Sequence, residues 1–156
     1  MLSWTIVKKH LQVKSVKSKN TSFVLHKEDA RSLIVMRLKH FTSDEKFIYN
    51  RVAIRDQKRC WGSCSSKGNL NFSYKLLFLP PCLRDYIVVH ELCHLKILNH
   101  SVSFWEVVHA NMSDYEIRMK LLRQLEKTVG TSVVALKKYQ VSHASSNCTQ
   151  CAELLK

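Results

Sequence analysis

The sequence has 156 residues, of which 46% are hydrophobic and 24% charged, with only 3 Gly and 2 Pro. These values exclude a disordered or linker-rich chain and suit one globular domain. No apolar stretch reaches the length of about 18 residues that a membrane-spanning helix needs, so we expect no membrane association. The net charge of +13 at pH 7 predicts either a solvated basic surface or attraction to polyanions such as nucleic acid and phosphorylated substrates.

The first 26 residues form a basic region in which apolar and polar residues alternate loosely. Its charge comes mainly from Lys8, Lys9, Lys14, Lys17 and Lys19. The alternation predicts short strands joined by polar turns. Because no basic segment is followed by a long apolar core, we expect no signal peptide and a cytoplasmic protein.

The middle of the chain changes from a helical to an alternating pattern. Apolar residues recur every three or four positions over 28–41, which predicts an amphipathic helix. Alternation over 47–55 predicts a strand, and the polar cluster 65–69 predicts a turn that leads into a second strand at 70–74. We therefore expect a hairpin-like pair and a small antiparallel sheet.

The most informative stretch lies on a helix predicted at 81–98, directly after a Pro-Pro pair. It reads His90-Glu91-Leu-Cys-His94, and residues four apart share one face of a helix. Asn99 is a suitable helix cap that would turn the chain and bring His100 back toward the two histidines.

Two Ser-x-x-Glu capping boxes predict further helices at about 103–110 and 114–127. Beyond residue 130 the periodicity fades. We therefore predict one α+β domain over 1–130, with a basic strand region at 1–26 and a metal-site core at 47–127, followed by a tail at 131–156.

The six cysteines do not form a disulfide framework, and we expect reduced thiols. Cys148 and Cys151 form a C-x-x-C pair in the tail. Half of a zinc site without a second half is weak support for metal binding, so we interpret this segment as a frayed end.

The His-Glu-x-x-His spacing is typical of a catalytic zinc site. His90 and His94 would offer imidazole nitrogens to one Zn²⁺, and Glu91 would act as general base toward water. His100 is the preferred third ligand. His109 and Glu106, on the next predicted helix, are the alternatives, and Glu106 would give a two-histidine, one-carboxylate site.

Two longer blocks support a family resemblance. The segment Trp61-Gly-Ser-Cys-Ser precedes the motif, and Asn99-His-Ser-x-x-Phe104-Trp105 follows it. Together with the metal motif they resemble the YgjP-like metallopeptidase domain, a zincin-like group related to the SprT and WLM families. The resemblance implies a zincin-like fold, zinc ligands at His90, His94 and His100, and a catalytic Glu91.

One position departs from the family pattern, which has Arg directly before Trp-Gly-Ser-Cys where this chain has Cys60. For the block itself we expect Trp61 to pack against the metal helix and Gly62 to permit a tight bend. Phe104 and Trp105 are interpreted as core anchors.

Several groups are candidates for stabilising an oxyanion. They are Ser63 or a backbone N–H beside it, the phenol of Tyr74 and the phenol of Tyr115. The sequence alone does not place any of them at the cleft.

We therefore predict a zinc-dependent metallohydrolase, foremost a metallopeptidase that acts on peptides or proteins. Two alternatives are a metal-dependent nucleoside triphosphate pyrophosphatase and a SprT-like protease that binds DNA through its basic N-terminal region. The sequence predicts no oligomeric state.

Overall fold

The computed structural model describes residues 21–43 and 46–142, and shows an α+β arrangement of helices around a small sheet. Its elements are α1 (Thr21–Phe41), β1 (Arg51–Arg55), β2 (Gly62–Cys64), β3 (Asn69–Ser73), a 3₁₀ helix (Tyr74–Phe78), α2 (Pro81–Cys93), α3 (Val102–Asn111), α4 (Tyr115–Thr128) and α5 (Val133–Ser142). The predicted α+β class is confirmed.

The sheet has three strands in the order β1-β3-β2. β2 and β3 form an antiparallel hairpin, and its turn, within the predicted 65–69 turn cluster, closes with a Gly68 N–H···O=C Ser65 bond of 2.9 Å. Gly68 has φ of 70°, a left-handed conformation that glycine adopts without strain. β1, however, runs parallel to β3, with Ile54 opposite Phe72. The predicted hairpin-like pairing of the 47–55 strand with the 70–74 strand was therefore wrong. The chain passes from β1 to β2 at the opposite edge of the sheet, and the β2–β3 hairpin then places β3 between them.

Helix α1 includes residues 21–26, which the alternation had predicted to be strand. Phe23 and His26 lie three positions apart and make edge-to-face contacts with Tyr74 and Phe78 of the 3₁₀ helix, at centroid distances of 5.4 and 5.1 Å. Three-residue spacing brings two side chains to one helix face, so this packing favours helix over strand. The rest of the predicted basic strand region, 1–20, lies outside the described residues.

An ion pair fixes α1 against the helix that carries the histidine motif. Arg37 donates from Nε and Nη2 to the two carboxylate oxygens of Asp85, at 2.7 and 2.8 Å. Such a two-pronged pair sets orientation as well as separation. Ala30, Ile34 and Leu38 form the buried face of α1.

Helix α2 ends at Cys93, five residues before the predicted end at 98. The Pro-Pro start is as expected, with Pro81 in the first turn. Helical hydrogen bonding ends after the turn that follows His94. There the carbonyl oxygen of Ile97 contacts the His94 ring and not a backbone N–H four residues further along the chain. The chain therefore reverses earlier, and the loop to α3 carries His100.

Helices α3 and α4 lie close to the predicted ranges, but part of the predicted tail is wrong. Residues 133–142 form α5, which packs on the 3₁₀ helix; Leu136 is fully buried and Lys137 lies 5.1 Å from the centre of the Phe78 ring. With one fully buried leucine, α5 shows no clear three-and-four pattern of apolar residues, so it could not be recognised from the sequence. Residues 143–156, with Cys148 and Cys151, lie outside the described residues, and the single-domain boundary stays a prediction.

Within residues 21–43 and 46–142, no helix combines the length and apolarity needed to cross a membrane.

Candidate metal centre and active-site cleft

Three imidazole rings meet at the end of α2. His94 Nε2 lies 3.2 Å and His100 Nε2 lies 3.1 Å from His90 Nε2. Nitrogens bound tetrahedrally to one zinc ion at 2.0–2.1 Å would be about 3.3 Å apart. The three potential ligand atoms thus face one point, and they form the only cluster of potential metal ligands of this kind among the described residues.

The ring of His94 is held in the orientation that a metal ligand requires. Its Nδ1 lies 3.0 Å from the carbonyl oxygen of Ile97, which can only accept, so Nδ1 carries the proton and Nε2 keeps its lone pair. Phe104, fully buried, stacks on the His94 ring at 4.4 Å. Trp105 stacks on His100 at 5.7 Å. The two aromatics predicted as core anchors therefore also support the histidines.

The alternative third ligands do not join this cluster. Glu106 is exposed on α3, and the exposed His109 packs edge-on to Tyr115, at 6.1 Å between ring centres. His100 is the histidine that the chain reversal brings to His90. The donor set is thus three nitrogens, which suits zinc better than the oxygen-preferring Mg²⁺ or Ca²⁺.

Burial keeps His90 and His94 neutral, as metal ligands must be. Desolvation and, to a smaller extent, the neighbouring His94 and His100 together lower the pKa of His90 to about 3. Burial also lowers the pKa of His94, although the bond to the Ile97 carbonyl opposes the shift. No proton then competes with a cation for the nitrogens of His90 and His94 at neutral pH.

Glu91 is almost fully buried, with 6% of its surface exposed. Among the described residues, its Oε2 has no hydrogen-bond partner, and neither has His90 Nδ1. Burial raises the pKa of Glu91 to about 8. A buried carboxyl without a partner reduces stability, and such groups concentrate at functional sites.

Gly62, the first residue of β2, lies directly against Glu91. A Cβ at this position would be 2.6 Å from Glu91 Cγ and 2.7 Å from Oε1. We expected Gly62 to permit a tight bend, but its φ is not in the left-handed region. Its lack of a side chain instead leaves room for the Glu91 carboxyl. Sequence reasoning could not find this, because the contact joins residues 29 positions apart.

These shifts predict how the stability of the metal-free protein varies with pH. Unfolding lowers the pKa of Glu91 from about 8 to 4.5, so the folded state holds a proton that the unfolded state loses between these values. The pKa of His90 rises on unfolding from about 3 to 6.5. This change makes the free energy of unfolding increase with pH, but only below about pH 6.5. Between pH 6.5 and 8, the free energy of unfolding should fall by up to about 1.4 kcal/mol per pH unit.

Urea titrations of chelator-treated protein at several pH values would measure this slope. Glu91→Gln, which cannot ionise, should have a flat profile over the same interval. Equal slopes for both proteins would contradict a buried carboxyl with a raised pKa.

The histidines and Glu91 line one open cleft of about 710 Å³. Its other walls come from the β2 segment and from α4; they include Trp61, Ser63, Met119, Leu122, Arg123 and Glu126. Trp61 Nε1 donates to Glu126 Oε1 at 2.6 Å, which ties the two walls together. The α4 wall could not be predicted from the sequence, because its cleft residues follow the same three-and-four spacing as an ordinary buried face.

Two further cleft residues carry polar groups that the sequence analysis did not single out. Tyr86 lies one turn before His90, with ring centres 5.8 Å apart, and burial raises its pKa to about 12. The positive charge of Arg123, which lines the same cleft, opposes that rise.

Of the proposed oxyanion donors, only Ser63 lines the cleft. Its Oγ lies within hydrogen-bonding distance of the side-chain amides of Gln57 and Asn71, at 3.4 and 3.3 Å. Tyr74 is buried in the core against α1, and Tyr115 stacks on the Trp105 ring, so neither lines the cleft. Cys60, at the position of the family Arg, is exposed and lies on the cleft rim.

Comparison with known proteins agrees with this geometry. A sequence profile described as "YgjP-like, metallopeptidase domain" matches residues 3–125. The chain belongs to the YgjP-like metallopeptidase family. The resemblance inferred from the Trp-Gly-Ser-Cys and Asn-His-Ser blocks is thereby confirmed. No curated protein matches the chain significantly.

A solved structure is also similar to this YgjP-like protein. It is the crystal structure of the metallopeptidase zymogen of Pyrococcus abyssi abylysin, with 28% identity and a TM-score of 0.52. The match covers 61% of this chain and 94% of the other. The protein is therefore an enzyme, a hydrolase of the metallopeptidase class, with a zincin-like fold. This class implies a metal ion and a peptide or protein substrate.

Proposed function

We propose that this YgjP-like protein is a zinc-dependent peptidase with His90, His94 and His100 as metal ligands and Glu91 as general base. The observation that carries the proposal is the meeting of three imidazole nitrogens, with Nε2 of His94 and of His100 at 3.2 and 3.1 Å from His90 Nε2. They lie beside a buried carboxyl whose Oε2 has no partner among the described residues. Both features lie in the same cleft.

When bound, zinc would supply Lewis-acid polarisation of the peptide carbonyl and lower the pKa of water. Glu91 would accept a proton from the attacking water while the water oxygen bonds to the carbonyl carbon. Glu91 would then deliver that proton to the departing amide nitrogen as the C–N bond breaks. The unpartnered Oε2 supports this role, because no described residue competes for it.

Removal of one ligand tests the metal assignment. Wild type is expected to hold one zinc per chain by elemental analysis and to cleave casein or a fluorogenic peptide library, with activity lost on chelation and restored by zinc. His94→Ala should lose both the metal and the activity, because two imidazoles hold zinc far more weakly than three.

His109→Ala is the matched control, since it removes an exposed imidazole from the neighbouring helix. It should keep zinc and activity. Stoichiometric zinc in His94→Ala would refute the ligand set. Hydrolysis of nucleoside triphosphates with no peptide cleavage would favour the pyrophosphatase alternative instead.

The remaining predictions concern partners and location. The suggestion of DNA binding rests on the basic residues at 1–20, and these lie outside the described residues. Salt-dependent DNA binding that is lost on deleting residues 1–20 would support the SprT-like alternative. A cytoplasmic location stays a prediction.

A further inference from the structure

The α4 wall of the cleft carries one arginine whose surroundings suit an incoming anion. Arg123 lines the same cavity as the three histidines and Glu91. Within the part of the chain that the structure describes, it makes no hydrogen bond and no ion pair. Its guanidinium is exposed and offers several N–H donors in a planar fork that fits a carboxylate.

The nearest candidate partner on the same helix is already engaged. Glu126 lies one turn after Arg123, at a spacing that often gives a salt bridge. Its Oε1 instead accepts a bond of 2.6 Å from Trp61 Nε1, across the cleft wall. The Trp61–Glu126 bond therefore directs the carboxylate toward the β2 side and leaves Arg123 available.

The cleft that Arg123 lines also contains a second donor, the Tyr86 hydroxyl. The charge of Arg123 acts on the Tyr86 phenol, and Tyr86 lies one turn before His90 on α2. Arg123, the Tyr86 hydroxyl and the histidine cluster thus line one cleft. A peptide that lies along the cleft with its scissile bond at the histidines would pass Arg123.

We propose that Arg123 is a specificity residue that binds a carboxylate of the peptide substrate, with Tyr86 in the same cleft as a second donor. The inference rests on the proposed peptidase function and adds a substrate class to it. The carboxylate comes either from an Asp or Glu side chain near the scissile bond or from the C-terminus of a short peptide. Met119 and Leu122, which line the same wall, would contact apolar residues next to that carboxylate.

Paired fluorogenic peptides test the proposal. One series has blocked ends and carries Glu, Gln or Lys at each position around the cleavage site. A second series compares free and amidated C-termini of one neutral sequence. Zinc-loaded wild type should prefer the carboxylate member of a pair by about tenfold in kcat/KM, a modest factor because the arginine is exposed.

Arg123→Gln should bring that ratio close to one, and Arg123→Lys should keep part of it. Lys120→Gln is the matched control, because it makes the same charge change on an exposed position of the same helix, outside the cleft. It should keep the wild-type ratio. High salt should reduce the preference in wild type.

The two peptide series identify the source of the carboxylate, and either result supports the proposal. An unchanged kcat/KM preference for the carboxylate peptide in Arg123→Gln would overturn the proposal. An equal loss of kcat/KM on all peptides would also overturn it, because it would indicate a structural or general catalytic role for Arg123. Binding of the same peptides to zinc-loaded Glu91→Gln, measured by fluorescence anisotropy, should show the same Arg123 dependence. That measurement does not need turnover, so it separates failure of this inference from failure of the peptidase assignment.

Discussion

Glu91→Gln is expected to reduce peptide hydrolysis by about 10²–10⁴-fold, the range that a positioned general base contributes. Glutamine has almost the same shape as glutamate and fits beside Gly62, but it cannot accept a proton. The three histidines are unchanged, so the variant should still bind one zinc per chain. Parallel measurement of kcat and zinc content on matched preparations checks both statements.

Comparison with His94→Ala distinguishes loss of the general base from loss of the metal ion. Both variants should be inactive, but only His94→Ala should lose zinc. If Glu91→Gln keeps wild-type activity, Glu91 is not the base and the cluster is a structural metal site. If it loses zinc as well, Glu91 contributes to metal binding, and its assigned role must change.

Gly62→Ala is expected to reduce activity by about 100-fold without removing zinc. The new methyl group would overlap Glu91 Cγ and Oε1, at 2.6 and 2.7 Å, so the carboxyl must move. Displacement of a catalytic group by about 1 Å has an effect of this size. Overpacking should also lower the free energy of unfolding by about 1–3 kcal/mol.

A double-mutant cycle identifies the cause. In a Glu91→Ala background the methyl group introduced at position 62 has room, so Gly62→Ala should destabilise the metal-free protein much less than it destabilises wild type. Urea titrations of the four proteins give the coupling directly. An equal loss in both backgrounds would mean that Gly62 matters for the strand backbone and not for Glu91.

The meeting of the three histidines could be predicted from sequence because it is local. His90 and His94 are one helical turn apart, and a single chain reversal brings back His100. The helix end was still misplaced by five residues, since the bond between the His94 ring and the Ile97 carbonyl is not visible in a hydrophobic pattern.

The rest of the cleft could not be predicted because it depends on contacts between distant segments. The Gly62–Glu91 contact and the Trp61–Glu126 bond join residues 29 and 65 positions apart. The parallel pairing of β1 with β3 likewise depends on where the chain crosses the sheet. In each case residue type was a poor guide: Gly62 suggested a bend, and charged residues such as Arg123 and Glu126 more often face solvent on an amphipathic helix than line a cleft.

The position of the three proposed ligands along the chain has a consequence for folding. All three histidines fall within residues 90–100, a segment short enough to close early in folding, because short loops lose little chain entropy. The contacts that place Glu91 and the far wall of the cleft join distant segments, so we expect them to form later, as the β2 hairpin and α4 pack on α2. A partly folded chain could therefore hold its metal ion before it could hydrolyse anything, and proteolytic activity would be acquired last, when the tertiary structure is complete.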